Sequence, residues 1–339
     1  MSVSAQDVAQ LELVGAPEVP RQRRNQWVLR RVLVGIATLV ALSIVIFAAT
    51  QALPGNAAKE ILGHDGTPAE VATLSRQLGL DRPIIVQYLS WAGNAITGNF
   101  GNSLAASEPV TTLLGPAILK SSILLIGSAV ISMLIAFALG VLAASYRDRG
   151  PDHAINAFSF FFTAVPEFVI ALWLVMLFGT TVFKILPAVS LIPPGAGALS
   201  DPQVYVLPVA TLVLATVPYL TRLVRGSMID AMESEYVRMA RYKGLGERRI
   251  LIRHALPNAL VPAIQGMAQN LGYLAGGIVV VEYVFGFPGI GTALTQAIGV
   301  RDIPVVQATS LVLASFYVVV NLIADLLVVF VTPRLRTAG

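Results

Sequence analysis

The stretch from Leu119 to Ser145 reads LKSSILLIGSAVISMLIAFALGVLAAS, and beyond Lys120 it holds no charged residue. This run exceeds the ~20 apolar residues an α-helix needs to cross the hydrocarbon of a bilayer. Its apolar residues are continuous, unlike the ~10-residue alternating segments of a membrane β-barrel. Strands could cross lipid only as a closed barrel, because no water is present there to satisfy an open edge. The run therefore predicts a membrane helix. Five further stretches, at roughly 28–50, 155–182, 205–225, 259–282 and 305–331, are long and apolar enough for the same reading. The expected fold is an all-α membrane protein with six transmembrane helices.

Composition agrees. Charged residues make up 12% of the 339, about half the ~25% usual for a soluble domain. A mean hydropathy of +0.74 points to lipid rather than to an oversized soluble core. The net charge of +4 fits Lys and Arg retained on the cytoplasmic face and gives no argument for nucleic acid. Without cysteine there is no disulfide framework, thiol nucleophile or Cys-based metal site. His64, His153 and His254 are isolated in sequence and suggest no metal cluster.

The basic residues set the orientation. With the N-terminus inside, the cytoplasmic side holds Arg21, Arg23, Arg24, Arg30 and Arg31, then Arg147 and Arg149. It also holds Arg222, Arg225, Arg238, Arg241, Lys243, Arg248, Arg249 and Arg253, then Arg334 and Arg336. The outside keeps only Lys59, Arg76, Arg82, Lys120, Lys184 and Arg301. Residues 1–27 then read as a cytoplasmic tail, 28–331 as the six-span domain and 332–339 as a second cytoplasmic tail. The first span is too long for a secretory signal core and lacks a good cleavage site. The external loop 51–118 carries a short amphipathic pattern at Ala69–Leu78, and the loop 183–204 reads as irregular.

The internal loop 226–258 is the most charged part of the chain. From Ser227 to Pro262 the sequence is SMIDAMESEYVRMARYKGLGERRILIRHALPNALVP. Asp230, Met232, Glu233, Tyr236, Val237 and Ala240 are consistent with one amphipathic helix, which Gly244 and Gly246 end. A short Arg-rich helix follows, so two helices meet at a hinge over Lys243–Gly246. Periodicity alone leaves two readings: a solvated basic loop, or an element whose exposed apolar side chains seat on a partner.

The spacing of this loop resembles the cytoplasmic EAA motif of ABC-importer permeases, E-A-A-x3-G-x9-I-x-L-P. Ala240, Gly244, Leu256 and Pro257 match, whereas Arg238, Met239 and His254 stand for Glu, Ala and Ile. The run YVRMARYKGL…RRILIRHALPNALVP is similar to the version found in the dipeptide/oligopeptide/nickel branch. Leu78–Leu104, LGLDRPIIVQYLSWAGNAITGNFGNSL, resembles that branch's external-loop signature, with Asn99 for the usual Asp. Glu282–Ile298, EYVFGFPGIGTALTQAI, resembles its E-x-V-F-x-x-P-G-x-G turn. The segment RDIPVVQ (Arg301–Gln307) and the ending Asn321…Asp325…Thr332-Pro333-Arg334, with Thr332 for Asp, also fit.

The resemblance implies a type I ABC-importer permease in the cell inner membrane, both termini cytoplasmic. It would form half of a translocation pathway for peptides, or for nickel, glutathione or another small solute. The implied partners are a second homologous permease, two ATP-binding subunits and an external solute-binding protein, besides membrane lipid. The implied ATPase-coupling residues are Glu235, Tyr236, Arg238, Met239, Ala240, Lys243, Gly244, Leu256 and Pro257. ATP and Mg would sit on the partner subunits. This chain has no phosphate loop, since Leu119 precedes Lys120-Ser121 where that loop needs glycine.

Polar residues inside spans are candidates for the pathway. These are Glu167, Gln269, Asn270, Asn321 and Asp325; interhelical hydrogen bonding is the alternative for them, as for Gln265. Glu282 reads instead as a stabiliser of the turn Gly286–Gly291. Small residues at Ala136 and Gly140, and at Gly272 and Gly276, predict close helix crossings. A secondary transporter would need more buried carboxylates, and an enzyme would need a convergent catalytic set that the sequence does not contain.

Overall fold

The computed structural model describes residues 21–52, 67–77, 81–193 and 195–331. Of the expected tails 1–27 and 332–339, residues 1–20 and 332–339 lie outside the described residues, as do Lys59, His64, Leu78 and the Thr332–Arg334 ending, while 21–27 are helical and continue into the first span. Among the described residues there is no strand; the β pairing is one bridge between Asn102 and Pro109.

Twelve helices are described: α1 (Arg21–Ala52), α2 (Pro68–Gln77), α3 (Ile84–Ile96), α4 (Val110–Ser145), α5 (Gly150–Ala164), α6 (Glu167–Leu174), α7 (Val206–Glu233), α8 (Glu235–Tyr242), α9 (Glu247–Ile250), α10 (Leu256–Phe285), α11 (Ile290–Gly299) and α12 (Ile303–Val331). A π-helical turn, Val175–Thr180, extends α6, and a second, Leu251–Ala255, joins α9 to α10.

Four of the six expected spans, α1, α4, α7 and α12, are single helices long and apolar enough to cross a membrane, and the fifth, α10, meets that measure together with α11. The third is not a single helix. Over 155–182 the chain forms α5 and α6, which meet at 104°. Proline explains the break. Pro166 has no N–H to donate and drives Val165 into extended backbone, at φ −92° and ψ 124°. The sequence reading also missed α11, which leaves α10 at a 70° bend after left-handed Gly286.

The bundle is held chiefly by α7, packed along α4 on one side and α10 on the other. A Cβ added at Gly140 would lie 2.6 Å from the Val224 Cβ, so glycine there permits the close α4–α7 crossing. Gly272 does the same for α10 against Tyr317 of α12, whereas Gly276 faces open space, contrary to the expected two-glycine face. The largest buried cluster joins α4, α6, α7 and α10 around Leu124, Ile170, Leu212, Leu274 and Phe285. Conversely α1 is exposed along most of its length, with Leu33, Val40, Ile44 and Val45 all outward. That outward surface is apolar and is left uncovered by the rest of this chain.

Candidate functional site

The α5–α6 bend shapes a cavity of about 340 Å³, lined by Phe162, Thr163, Val165, Glu167, Ala215, Tyr219, Gln269, Asn270 and Tyr273. Its lining comes from the middle of α7 and α10 as well as from the break, so it sits at mid-height in the bundle. Glu167 opens α6, where the positive end of the helix favours a carboxylate. Glycine at 277 makes room for that carboxylate on α10, since a Cβ there would lie 2.4 Å from Glu167 Oε2. Glu167 Oε2 and Asn270 Oδ1 are both buried without a hydrogen-bond partner among the described residues. Gln269, Tyr219 and Tyr273 are exposed and form the rim.

Three of the five pathway candidates, Glu167, Gln269 and Asn270, therefore share this cavity, and two lie elsewhere. Asn321 donates to the Tyr317 carbonyl of its own helix at 2.8 Å, beside Gly272. Asp325 pairs with Arg31 of α1 at 2.8 Å.

The internal loop differs from its expected form. Asp230, Met232 and Glu233 belong to the end of α7, and the chain breaks at Ser234, which is extended at ψ 154°. α8 is therefore the short helix Glu235–Tyr242. Val237 and Ala240 face inward on Ile250, with Met232 and Leu245 around them. Tyr236, Met239 and Tyr242 are exposed. Glu235 and Arg238 form a solvent-facing ion pair at 3.0 Å, and the Tyr236 hydroxyl accepts from Asn258 Nδ2 at 3.0 Å.

After Lys243, Gly244 is left-handed at φ +76°. The Gly244 N–H bonds the Arg241 carbonyl and the Leu245 N–H bonds the Ala240 carbonyl, at 2.9 and 3.2 Å. This is a Schellman end, with Leu245 supplying the usual apolar contact. The glycine hinge is spanned by a two-bond pair from Arg241 to Glu247, at 2.7 and 3.2 Å. That hydrogen-bonded guanidinium holds the Glu247 carboxyl below its ordinary range. Leu256 packs partly against the buried cluster at the end of α7 nearest α8, and Pro257 sits exposed in the first turn of α10. Its missing N–H follows directly on the π turn Leu251–Ala255.

Three polar clasps join residues far apart in sequence, and only the turn-stabilising part of the third, at Glu282, was expected. Asp152, 1% exposed, takes two bonds from Arg225 at 2.6 Å each, one from the Asp148 N–H and one from Asn156 Nδ2. This ties the start of α5 to α7. Ser103 and the N–H groups of Leu104 and Ala105 bind Asp302, which joins the external-loop signature to the RDIP segment. Glu282, fully buried, accepts from Ser121 of α4 and from the Gly291 N–H at 2.7 Å, and so caps α11. A Cβ at Gly289 would strike its carboxylate at 2.1 Å, which accounts for that glycine of the turn.

Comparison with known proteins adds the following. Residues 136–337 match the family described as "Binding-protein-dependent transport system inner membrane component", and residues 25–114 match the N-terminal family of the same system's membrane component. The chain is similar to the glutathione transport system permease protein GsiC of Salmonella choleraesuis (strain SC-B67), at 32% identity covering 91% of this chain and 98% of that protein. The GsiC proteins of Salmonella typhimurium (strain LT2) and Escherichia coli (strain K12) are 33% and 32% identical, with the same coverage.

Proposed function

This chain belongs to the binding-protein-dependent transport system inner membrane components, as a non-catalytic permease subunit of an ABC importer of the peptide/nickel branch, and we propose that its mid-height cavity is half of a passage for small peptides. The observation that carries this reading is the pair of buried acceptors, Glu167 Oε2 and Asn270 Oδ1, in a cavity rimmed by tyrosines. Two unpartnered acceptors call for a donor, and an isolated buried carboxylate calls for a cation. A peptide's terminal ammonium is both. Glutathione, for which the similar proteins are named, is a tripeptide with one free ammonium and falls within this class.

The exposed row Tyr236, Met239 and Tyr242 is the face we assign to a groove on an ATP-binding subunit. Movement of that subunit would pass through α8 into α7, which meets it at Ser234, and α7 lines the cavity. ATP and Mg would be held by two such subunits. A second permease would close the tyrosine-rimmed side, and an external binding protein would deliver the solute.

The test is purification of the tagged chain in mild detergent, then reconstitution of whatever stays bound. We expect ATP-binding subunits and a second permease at fixed ratio, with ATP-dependent uptake of labelled di- or tripeptide that glutathione competes for. A chain that repeatedly purifies alone and transports on an ion gradient without ATP would overturn the reading in favour of a secondary transporter. Uptake with ATP of nickel but not of peptide would overturn the substrate class alone.

A further inference from the structure

Helix α3 has no buried residue, no charge, and a row of large apolar side chains facing away from the protein. At about 100° per residue, Ile85, Leu89, Ala92 and Ile96 fall on one stripe, while Ser90 and Asn94 fall on the far side. Ile96 is 87% exposed. In water such a row would be an adhesive patch.

Its neighbour fixes its depth. Tyr88 and Trp91 of α3 pack on Phe47 of α1, with ring centroids 5.6 and 5.7 Å away, and the Tyr88 hydroxyl bonds Ser43 Oγ at 2.9 Å. Ser43 lies roughly 10 Å inside the end of the first span at Thr50, at 1.5 Å rise per residue. A helix whose side chains reach that far down α1 lies at the level of the headgroup–acyl boundary. The exposed apolar residues Ile44 and Val45 of the first span adjoin the contact, so the apolar stripe continues the outward face of α1.

We infer that α3 is an interfacial helix, bedded in the membrane with Ile85, Leu89 and Ile96 among the acyl chains and Ser90 and Asn94 towards water. Trp91 and Tyr88 then sit where amphipathic rings gather at membrane boundaries. The inference rests on the depth of α1 and not on the transported solute. By the orientation expected from the basic residues, the leaflet is the outer one. The consequence is mechanical. The chain between the first and second spans would be anchored to lipid at α3, and the following turn is clasped to the start of α12 through Asp302.

The absence of cysteine makes a direct test possible. Leu89→Cys, Ile96→Cys and Asn94→Cys would each be spin-labelled in the full chain, purified with its bound subunits. The chain would then be reconstituted in phosphatidylethanolamine–phosphatidylglycerol vesicles. We expect the ratio of oxygen to water-soluble nickel-chelate collisions to be about tenfold higher at Leu89 and Ile96 than at Asn94, as for a helix with one face in acyl chains. Equal nickel access at all three positions would place the helix in water and overturn the inference. Labels at Leu89 and Ile96 shielded from both reagents would show a protein partner on the stripe, which would overturn it equally. Exposure of Ile96 makes its substitution harmless to folding, so at least one position always reports.

Discussion

Gly244 adopts φ +76°, a conformation proline cannot reach, and its N–H bonds the Arg241 carbonyl. Gly244→Pro should therefore unwind the end of α8 while leaving the spans intact. Ala240→Asp would push a carboxylate between Val237 and Ile250, where an unpaired charge is strongly disfavoured. Both variants are expected to insert normally and to lose ATP-dependent uptake in proteoliposomes. Normal uptake by both would remove α8 from the coupling path. In the cavity, Glu167→Gln keeps the shape and removes the charge. A charged hydrogen bond contributes ~1.5–3 kcal/mol, so the KM for a peptide with a free amino terminus should rise at least about tenfold. The KM for an N-acetylated peptide should barely move. An equal rise for both peptides would mean that Glu167 supports the fold and does not meet the ammonium.

At the scale of elements, the clasps tie the bent helices to their neighbours. Asp152 is buried and wholly dependent on Arg225 and its two smaller donors. Arg225→Met should cost ~3–5 kcal/mol, the penalty for leaving one member of a buried pair uncompensated. Adding Asp152→Asn should recover most of it, because a neutral replacement of the whole pair is often harmless. Thermal aggregation of the single and double variants in detergent would decide; a double variant no better than Arg225→Met would mean that the pair does more than neutralise. Glu282→Ala would strand the Gly291 N–H and the Ser121 hydroxyl, each at ~1–3 kcal/mol. We expect α11 to detach first, seen as faster hydrogen exchange over residues 290–299 with the spans still protected.

The whole molecule has a side to each residue, and its cysteine-free sequence allows that to be measured. Ser200→Cys lies in the loop before α7 and Ser234→Cys lies between α7 and α8, at opposite ends of one long helix. A membrane-impermeant maleimide applied to intact cells should label Ser200→Cys at once, and Ser234→Cys only after permeabilisation. The reverse pattern would turn the orientation over and place α8 beyond the reach of any cytoplasmic ATPase.

Sequence alone marked six segments as candidate spans, set the expected side of their flanks, and located the glycine hinge of the loop that follows α7. Each is a local property, written in hydropathy, in Lys and Arg placement, or in the conformations that glycine allows. Tertiary structure decided that Glu167, Gln269 and Asn270 converge while Asn321 and Asp325 do not. Polarity marks a residue as unusual in lipid but says nothing of its rotation about the helix axis. Structure likewise decided that the third expected span is broken at Pro166, because a proline in a membrane helix bends it only as far as its neighbours re-satisfy the backbone. Asp152–Arg225, Asp302–Ser103 and Glu282–Ser121 join residues 73, 199 and 161 positions apart. No periodicity spans such separations; only the packed bundle brings those atoms within bonding distance.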